Sequence, residues 1–247
     1  MAAGGLVAAS AALPGTPHID GLHVARILGG PLRGKLLALP TLQRPSYALG
    51  TFEPHVVQAM QANVRPGSVA YDLGANVGYH TLVLSGLVGH AGTVVAVEPS
   101  PVDRAALEAT LRLNSQSNVR VVPSALAEQA GTVEFTTFGY SGISRIAREH
   151  EPADATVQTV PVTTLDHLVL TDGFPPPAFI KMDVEGAELR VLLGAMQVVA
   201  AHRPTIVCEV RWHVTYEPVC AVLAAHGYTS RVLWRGETIG DILLSPA

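Results

Sequence analysis

Short apolar runs alternate with segments suited to helices along this 247-residue chain. No other pattern in the sequence restricts the possible folds as strongly. Continuous apolar runs are typical of strands buried on both faces of a parallel sheet, and helices usually connect such strands. The sequence predicts strands at residues 69–73, 93–98, 118–126, 179–184, 205–210, 228–234 and 239–244. It therefore predicts an α/β fold built on a doubly wound, mostly parallel sheet.

Helices are predicted between these strands. Ser100 followed by Pro101 is a typical helix start, because serine caps free N–H groups and proline fits the first turn. The segments that we predict as helices are 54–63, 77–88, 101–113, 185–196 and 217–227.

Two segments stand outside the alternation. In residues 17–66, apolar stretches around GGPLRG (29–34) predict a β-hairpin, and the helix at 54–63 follows it. We expect this N-terminal extension to pack on the main domain, residues 67–247. Within that domain, strand-like stretches at 131–162 flank a polar segment and predict a β-hairpin-like insertion that helps to form a lid over a ligand site.

The N-terminal residues, the length of the apolar runs and the net charge restrict where the protein is located and what it binds. Residues 1–16 contain the small residues of a secretory signal but lack basic residues at their start, so we interpret them as a flexible tail of a cytoplasmic protein. No apolar run approaches the roughly 18 residues that cross a membrane. The net charge of −4, without a dense Lys/Arg run, argues against a nucleic-acid partner.

The motif VAYDLGANVGYHTL, residues 69–82, places an acid and two glycines directly after the first apolar strand. Its spacing is not the G-x-G-x-x-G of a dinucleotide site, and Asp72 would repel a pyrophosphate. Glu98 ends the second strand, where an acid can accept hydrogen bonds from a ribose diol. Both acids could instead cap helices. Together they favour a ligand with a ribose and an amino-acid arm but no phosphate, such as S-adenosylmethionine.

Further motifs occur in order along the chain: VVAVEPSP, LRLN, VRVVPSALAEQAGTVEF, VPVTTLDHL, FIKMDVEGAE, LLGA and RPTIVCEV. With the opening motif they resemble the FkbM family of S-adenosylmethionine-dependent methyltransferases, which have the class I methyltransferase fold. The resemblance covers roughly residues 50–212. It implies a seven-stranded sheet with an antiparallel last strand, and O-methylation of a hydroxyl on a small molecule, natural product or sugar.

The resemblance also implies a set of cofactor-binding residues. These are Asp72, Gly74, Asn76 and Gly78 at the methionine end, Glu98 at the ribose, Ser124 and Ala125 at the adenine, and Glu53 and Tyr79 beside the pocket. For Glu53, a favourable charge at a helix N-terminus is an equally good explanation. His80, which follows Tyr79, either faces the pocket or packs in the core.

The candidate catalytic residues follow the fourth and fifth strands. We predict Asp183 as the first choice for the base that removes the acceptor proton, then Glu185, with His213 as a third candidate. Lys181 points to the same sheet face as Asp183 and could keep it ionised. Asp183, Glu209 and His213 could also hold a divalent metal, but no tight ligand spacing is present, so the metal question stays open.

Two other functions are compatible with a cofactor site of this kind. A nucleic-acid N-methyltransferase would resemble enzymes with [DN]-P-P-[YF] after the fourth strand, whereas this chain has DVEG. A non-catalytic protein that binds S-adenosylmethionine would retain the cofactor residues without turnover. The oligomeric state also stays open, although the N-terminal hairpin offers strand edges to a neighbouring copy.

Overall fold

The computed structural model describes residues 18–42, 44–138, 144–146 and 155–247. The predicted tail at 1–16 and most of the polar segment of the insertion lie outside this description. The N-terminal elements are β1 (His18–Ile19), β2 (Leu22–Arg26), β3 (Leu36–Leu39), α1 (Pro45–Leu49) and α2 (Pro54–Asn63). The following elements are β4 (Val69–Leu73), α3 (Tyr79–Val88), β5 (Thr93–Val97), α4 (Pro101–Leu113), β6 (Val119–Val122) and β7 (Ala125–Leu126).

The second half of the chain completes the fold. Its first elements are β8 (Gly131–Phe138), β9 (Ser144–Ile146), β10 (Ala155–Thr163), α5 (Leu165–Leu170) and β11 (Phe179–Met182). Its last elements are α6 (Glu188–Leu193), α7 (Met196–His202), β12 (Thr205–Arg211), α8 (Tyr216–Ala224), β13 (Tyr228–Arg235) and β14 (Ile239–Pro246). Within the described residues, none of the helices combines the length and the apolar character that a membrane crossing requires.

A seven-stranded sheet forms the centre, in the order β13-β14-β12-β11-β4-β5-β6. The pairs from β12 to β6 are parallel, whereas β14 runs antiparallel to both β12 and β13. The doubly wound, mostly parallel sheet with an antiparallel last strand is confirmed. Leu73 is in register with both Met182 and Val97, so the loops after three strands leave the sheet at one level.

Apolar side chains from successive strand residues pack on opposite faces of the sheet. Ala70, Val94 and Phe179 join a core with helices α2, α3 and α4, whereas Tyr71 and Ile180 join a second core with α6, α7 and α8. Burial on both faces explains why the strands read as uninterrupted apolar runs.

The N-terminal extension shares the first of these cores. The strands β1, β2 and β3 form an antiparallel sheet, and β2 and β3 flank the GGPLRG loop. The Ala38 N–H donates to Thr110 Oγ1 of α4 at 3.0 Å, and the Leu36 N–H donates to Asn114 Oδ1 at 3.0 Å. These bonds fix the extension on the main sheet's first helical layer.

The insertion and the preceding strand β7 form a separate four-stranded sheet, in the order β7-β10-β8-β9. The strands β8 and β10 pair antiparallel, while β7 pairs parallel with β10. The predicted strand at 118–126 is therefore wrong as one element, because it divides between the two sheets. Pro123 stands at the break, where a residue without an N–H cannot continue a hydrogen-bonded ladder.

The predicted helix at 185–196 is also wrong as one element. Glu185 and Gly186 have φ angles of 53° and 102°, in the left-handed region, so the chain turns before α6 begins at Glu188. Glu185 and Glu188 consequently do not share a helix face. Similarly, Gly78 at φ 91° delays α3 until Tyr79.

Candidate active site

A cavity of about 350 Å³ opens at the carboxyl ends of the central strands β4, β5, β11 and β12. Its size is within the range of small-molecule sites, and it lies where the strand order reverses. Most of the residues predicted for the site line it: Glu53, Gly74, Asn76, Tyr79, Glu98, Ser124, Ala125, Asp183 and Glu185. His80, Lys181 and Glu209 line it as well.

Three predicted site residues are not part of this lining. Asp72 is fully buried below the cavity, where its Oδ2 accepts a hydrogen bond from Thr81 Oγ1 at 2.6 Å. Gly78 packs against α4, since a Cβ there would lie 2.7 Å from Leu107 Cδ1. His213 is exposed in the turn after β12.

The glycine loop after β4 serves chain packing more than ligand approach. Gly74 has a φ of 79°, and a Cβ there would collide with the Asp183 carbonyl oxygen. The absent side chain of Gly74 lets the loop after β4 touch the loop after β11. This contact brings the Asn76 segment and Asp183 to the same cavity.

Glu98 connects the loops after β4 and β5. Its Oε2 accepts the Asn76 N–H and its Oε1 accepts the Ser100 N–H, both at 2.8 Å. Burial, with a smaller effect from Asp103, raises the pKa of Glu98 to about 8 against the lowering effect of the two N–H donors. Each carboxylate oxygen has a second lone pair that can accept a hydrogen bond from a ligand.

Lys181 forms the cationic floor of the cavity. Its Nζ donates to the Gly74 carbonyl at 3.0 Å and lies 3.4 Å from Asp72 Oδ1 and 3.6 Å from Asp183 Oδ2. Burial alone would lower the pKa of Lys181, but the carboxylates of Asp72, Asp183 and Glu53 outweigh burial and raise it. Lys181 therefore stays protonated and joins the tips of β4 and β11.

Further carboxyl groups form part of the cavity wall. Burial and then Asp183 raise the pKa of Glu53 to about 8 and that of Glu209 to about 9. Glu185 Oε2 accepts from Arg211 Nη2 at 3.0 Å, and burial and Asp183 raise its pKa while Arg211 lowers it. Such a wall suits a ligand that donates hydrogen bonds or carries positive charge.

Several lining residues are absent from the predicted site. Arg44, Tyr47 and Phe52 come from the N-terminal extension, and the Tyr47 and Phe52 rings lie 4.5 Å apart. Phe135 of the insertion and Arg211 complete the lining. The only signal for the first three was their proximity in sequence to Glu53. No motif marks them.

The predicted metal ligands do not assemble. Asp183 and Glu209 line the cavity, but His213 is exposed outside it. Among the residues that the structure describes, no group of three or more His, Cys, Asp or Glu side chains is placed to hold a metal ion.

Comparison with curated proteins finds distant relatives. Over 196 residues the chain is 28% identical to the 31-O-demethyl-FK506 methyltransferase FkbM of Streptomyces tacrolimicus. This match covers 67% of this chain and 74% of that protein. Over 149 residues it is 28% identical to the hexuronic acid methyltransferase AglP of Haloferax volcanii, which covers 58% of this chain and 56% of that protein.

Solved structures share the fold. The methyltransferase FkbM from Methylobacillus flagellatus matches with a TM-score of 0.53 at 20% identity, over 79% of this chain and 51% of that chain. A SAM-dependent methyltransferase from Aquifex aeolicus matches with a TM-score of 0.51 at 15% identity, over 83% of this chain and 95% of that chain. The family model described as the methyltransferase FkbM domain matches residues 72–230. Because that match spans more than half of the 247 residues, this chain belongs to the FkbM family of methyltransferases.

Proposed function

We propose that this chain transfers the methyl group of S-adenosylmethionine to a hydroxyl of a small molecule or sugar. The observation that carries the proposal is the position of Glu98, a buried carboxylate at the tip of β5 that lines the cavity. Its oxygens accept N–H groups from the loops after β4 and β5, and both loops line the cavity. A ribose diol can donate to their remaining lone pairs.

The lining beside Glu98 fits the rest of the cofactor. We assign the apolar lining residues Val97, Pro99, Leu126 and Phe135 to the adenine ring. We assign Ser124 and Ala125 to the adenine as well, and Gly74, Asn76 and Tyr79 to the methionine arm. Asp72 contributes indirectly, because it lies below the cavity and holds Lys181 and Thr81 in place rather than contacting a ligand.

The bound cofactor would supply an electrophilic methyl group, and the protein's own residues would orient the acceptor. We assign Asp183 and Glu185 to hydrogen bonds with acceptor hydroxyls. Lys181 and Arg211 hold these carboxylates in place. Such positioning can contribute roughly 7–11 kcal/mol to a reaction between two bound molecules.

The composition of the lining supports an acceptor that is rich in hydroxyl groups. Its carboxyl groups are Glu53, Glu98, Asp183, Glu185 and Glu209, whereas its Lys and Arg side chains are Arg44, Lys181 and Arg211. An excess of carboxyl groups is unsuited to the phosphates of nucleic acid. The two curated relatives are named as methyltransferases of 31-O-demethyl-FK506 and of hexuronic acid, which agrees with a small-molecule or sugar acceptor.

Two measurements test the proposal. Titration calorimetry should show binding of S-adenosylmethionine and S-adenosylhomocysteine to the folded protein. Incubation with methyl-labelled cofactor, using D-glucuronic acid and 31-O-demethyl-FK506 as first acceptor probes, should give a labelled methyl ether. Absence of heat with both cofactor forms would refute the function, whereas binding without transfer to any hydroxyl in a wide acceptor panel would favour a non-catalytic role.

A further inference from the structure

We infer that Glu53 is the catalytic residue that accepts the proton of the acceptor hydroxyl, and that His80 is the residue that positions it. This inference rests on the proposed function and makes one part of it specific. It also differs from the prediction made from the sequence, in which Asp183 is the base and Glu53 either binds the cofactor or places a favourable charge at a helix N-terminus.

The backbone of Glu53 argues against a role in helix capping. Glu53 occupies the N-cap position of α2, yet its side chain makes no capping hydrogen bond. Its φ of 41° and ψ of 61° are left-handed, a conformation that costs a residue with a Cβ about 1–2 kcal/mol. The strained backbone instead lets the carboxyl line the cavity, with 25% of the side chain exposed. Strain of this kind is concentrated at functional sites.

His80 is placed to hold that carboxyl. Its side chain lines the cavity, and its Nε2 lies 3.5 Å from Glu53 Oε2. His80 is 4% exposed, and its buried Nε2 has no hydrogen-bond partner among the described residues. A buried nitrogen left unpaired costs about 1–3 kcal/mol, so the site is completed when a ligand or Glu53 satisfies it.

His80 is nevertheless unsuited to take the proton itself. Burial, followed by the charges of Lys181 and His55, lowers the pKa of His80 well below its usual value. Protonation would place a second cation near Lys181 in a buried region. A neutral imidazole can still hydrogen-bond to a carboxyl group and to an acceptor hydroxyl.

The charge balance favours a carboxylate as proton acceptor. In the transfer, the acceptor oxygen forms a bond to the methyl carbon, and the carbon–sulfur bond breaks with its electron pair left on sulfur. The acceptor O–H bond also breaks, and its proton moves to Glu53. One sulfonium cation and one carboxylate anion thereby become two neutral groups, which a desolvated cavity favours. Protonation of Asp183 would instead remove one of the two carboxylates nearest Lys181.

Several charged groups surround Glu53 and set its titration. The carboxyl groups of Asp183 and Asp241 favour its protonated form, and Glu209 acts in the same sense. Lys181 and Arg44 favour its ionised form. Neutral His80 and the phenols of Tyr47 and Tyr79 complete the surroundings. Because burial and these carboxyls raise the pKa of Glu53 to about 8, positive charge at the methyl position should favour its ionisation.

The test uses two probes that differ at the methyl position and needs no acceptor. Sinefungin carries a protonated amine where the methyl sulfonium stands, whereas S-adenosylhomocysteine carries only neutral sulfur. We expect wild type to bind sinefungin more tightly, and the ratio of its affinity to that of S-adenosylhomocysteine should rise with pH up to about pH 8 as Glu53 ionises, since ionisation of Glu98 acts on both probes alike. Glu53→Gln should lower sinefungin affinity at least tenfold, remove this pH dependence and leave S-adenosylhomocysteine affinity within about twofold.

Three comparisons make the result decisive. Asp183→Asn should retain the pH dependence of sinefungin binding, and His80→Phe should shift its midpoint without changing S-adenosylhomocysteine affinity. Glu108→Gln, at an exposed position of α4, should change nothing. An equal loss for both probes in Glu53→Gln would assign Glu53 to the cofactor and overturn the inference. Unchanged binding of both probes in Glu53→Gln would also overturn the inference, as would loss of the pH dependence in Asp183→Asn. Wild type that binds neither probe would refute the proposed function itself.

Discussion

Gly74 and Asp183 are in direct backbone contact, because the loop after β4 crosses the loop after β11 with no room for a side chain at Gly74. The carbonyl of Gly74 also accepts a hydrogen bond from Lys181 Nζ at 3.0 Å. The two loops that carry the glycine motif and Asp183 therefore form one unit. A disturbance at Gly74 reaches both the assigned cofactor side and the assigned acceptor side of the cavity.

Gly74→Ala should destabilise the protein more than its backbone angle alone explains. Gly67 is a matched control, because its φ of 78° equals that of Gly74 within a degree but no atom of the described residues lies within 4 Å of a Cβ placed there. We expect Gly67→Ala to cost about 1–2 kcal/mol and Gly74→Ala clearly more, measured by urea unfolding. Equal losses of unfolding free energy for the two variants would show that the loops at Gly74 and Asp183 can move apart at little cost.

Glu98→Ala should weaken binding of S-adenosylhomocysteine by about 1.5–3 kcal/mol, or roughly ten- to 150-fold, measured by titration calorimetry. Ligand hydroxyls that donate to Glu98 favour its ionised form, as the Asn76 and Ser100 N–H groups already do. The substitution therefore removes hydrogen bonds to a charged group and leaves these two N–H groups without their acceptor. Glu108→Ala, at an exposed position of α4, serves as the control. Unchanged affinity in Glu98→Ala would remove Glu98 from the site.

Lys181→Met should destabilise the protein by about 3–5 kcal/mol, because it leaves the buried carboxylate of Asp72 without its cation. Lys35→Met, at an exposed position, should have little effect on the unfolding free energy. Adding Asp72→Asn to Lys181→Met should recover part of the loss, since the uncompensated charge is then removed. If the double variant is no more stable than Lys181→Met, the two side chains are not energetically coupled.

Glu209→Gln should stabilise the unliganded protein at alkaline pH. Burial and Asp183 raise the pKa of Glu209 to about 9 from 4.5, so the folded state holds this proton more tightly than the unfolded state. The resulting stability is complete below about pH 4.5 and is lost as the pH rises towards 9. The melting temperature of Glu209→Gln should therefore exceed that of wild type by a margin that grows between pH 5 and 9. A constant margin across this range would contradict the raised pKa.

Much of the architecture could be predicted because its physical requirements are local. A strand covered on both faces must be apolar at every position, so β4, β5, β11 and β12 are visible as continuous runs. The start of α4 is equally local, since Ser100 Oγ accepts the Asp103 N–H as its capping role requires. The helix prediction is wrong where an uncommon backbone conformation sets the start of a helix. Glu185 and Gly186 are an example, because their left-handed turn delays the start of α6.

The apolar pattern of the chain is sufficient to predict the fold class and the level at which Asp72, Glu98 and Asp183 leave the sheet, because strand ends follow from that pattern. Which of these side chains reach the cavity depends on tertiary contacts. Asp72 is drawn below it by Thr81 and Lys181, and Glu53 arrives from the N-terminal extension in a left-handed backbone state. The direction of a side chain depends on contacts with residues distant in sequence, and those contacts leave no periodic pattern in the chain.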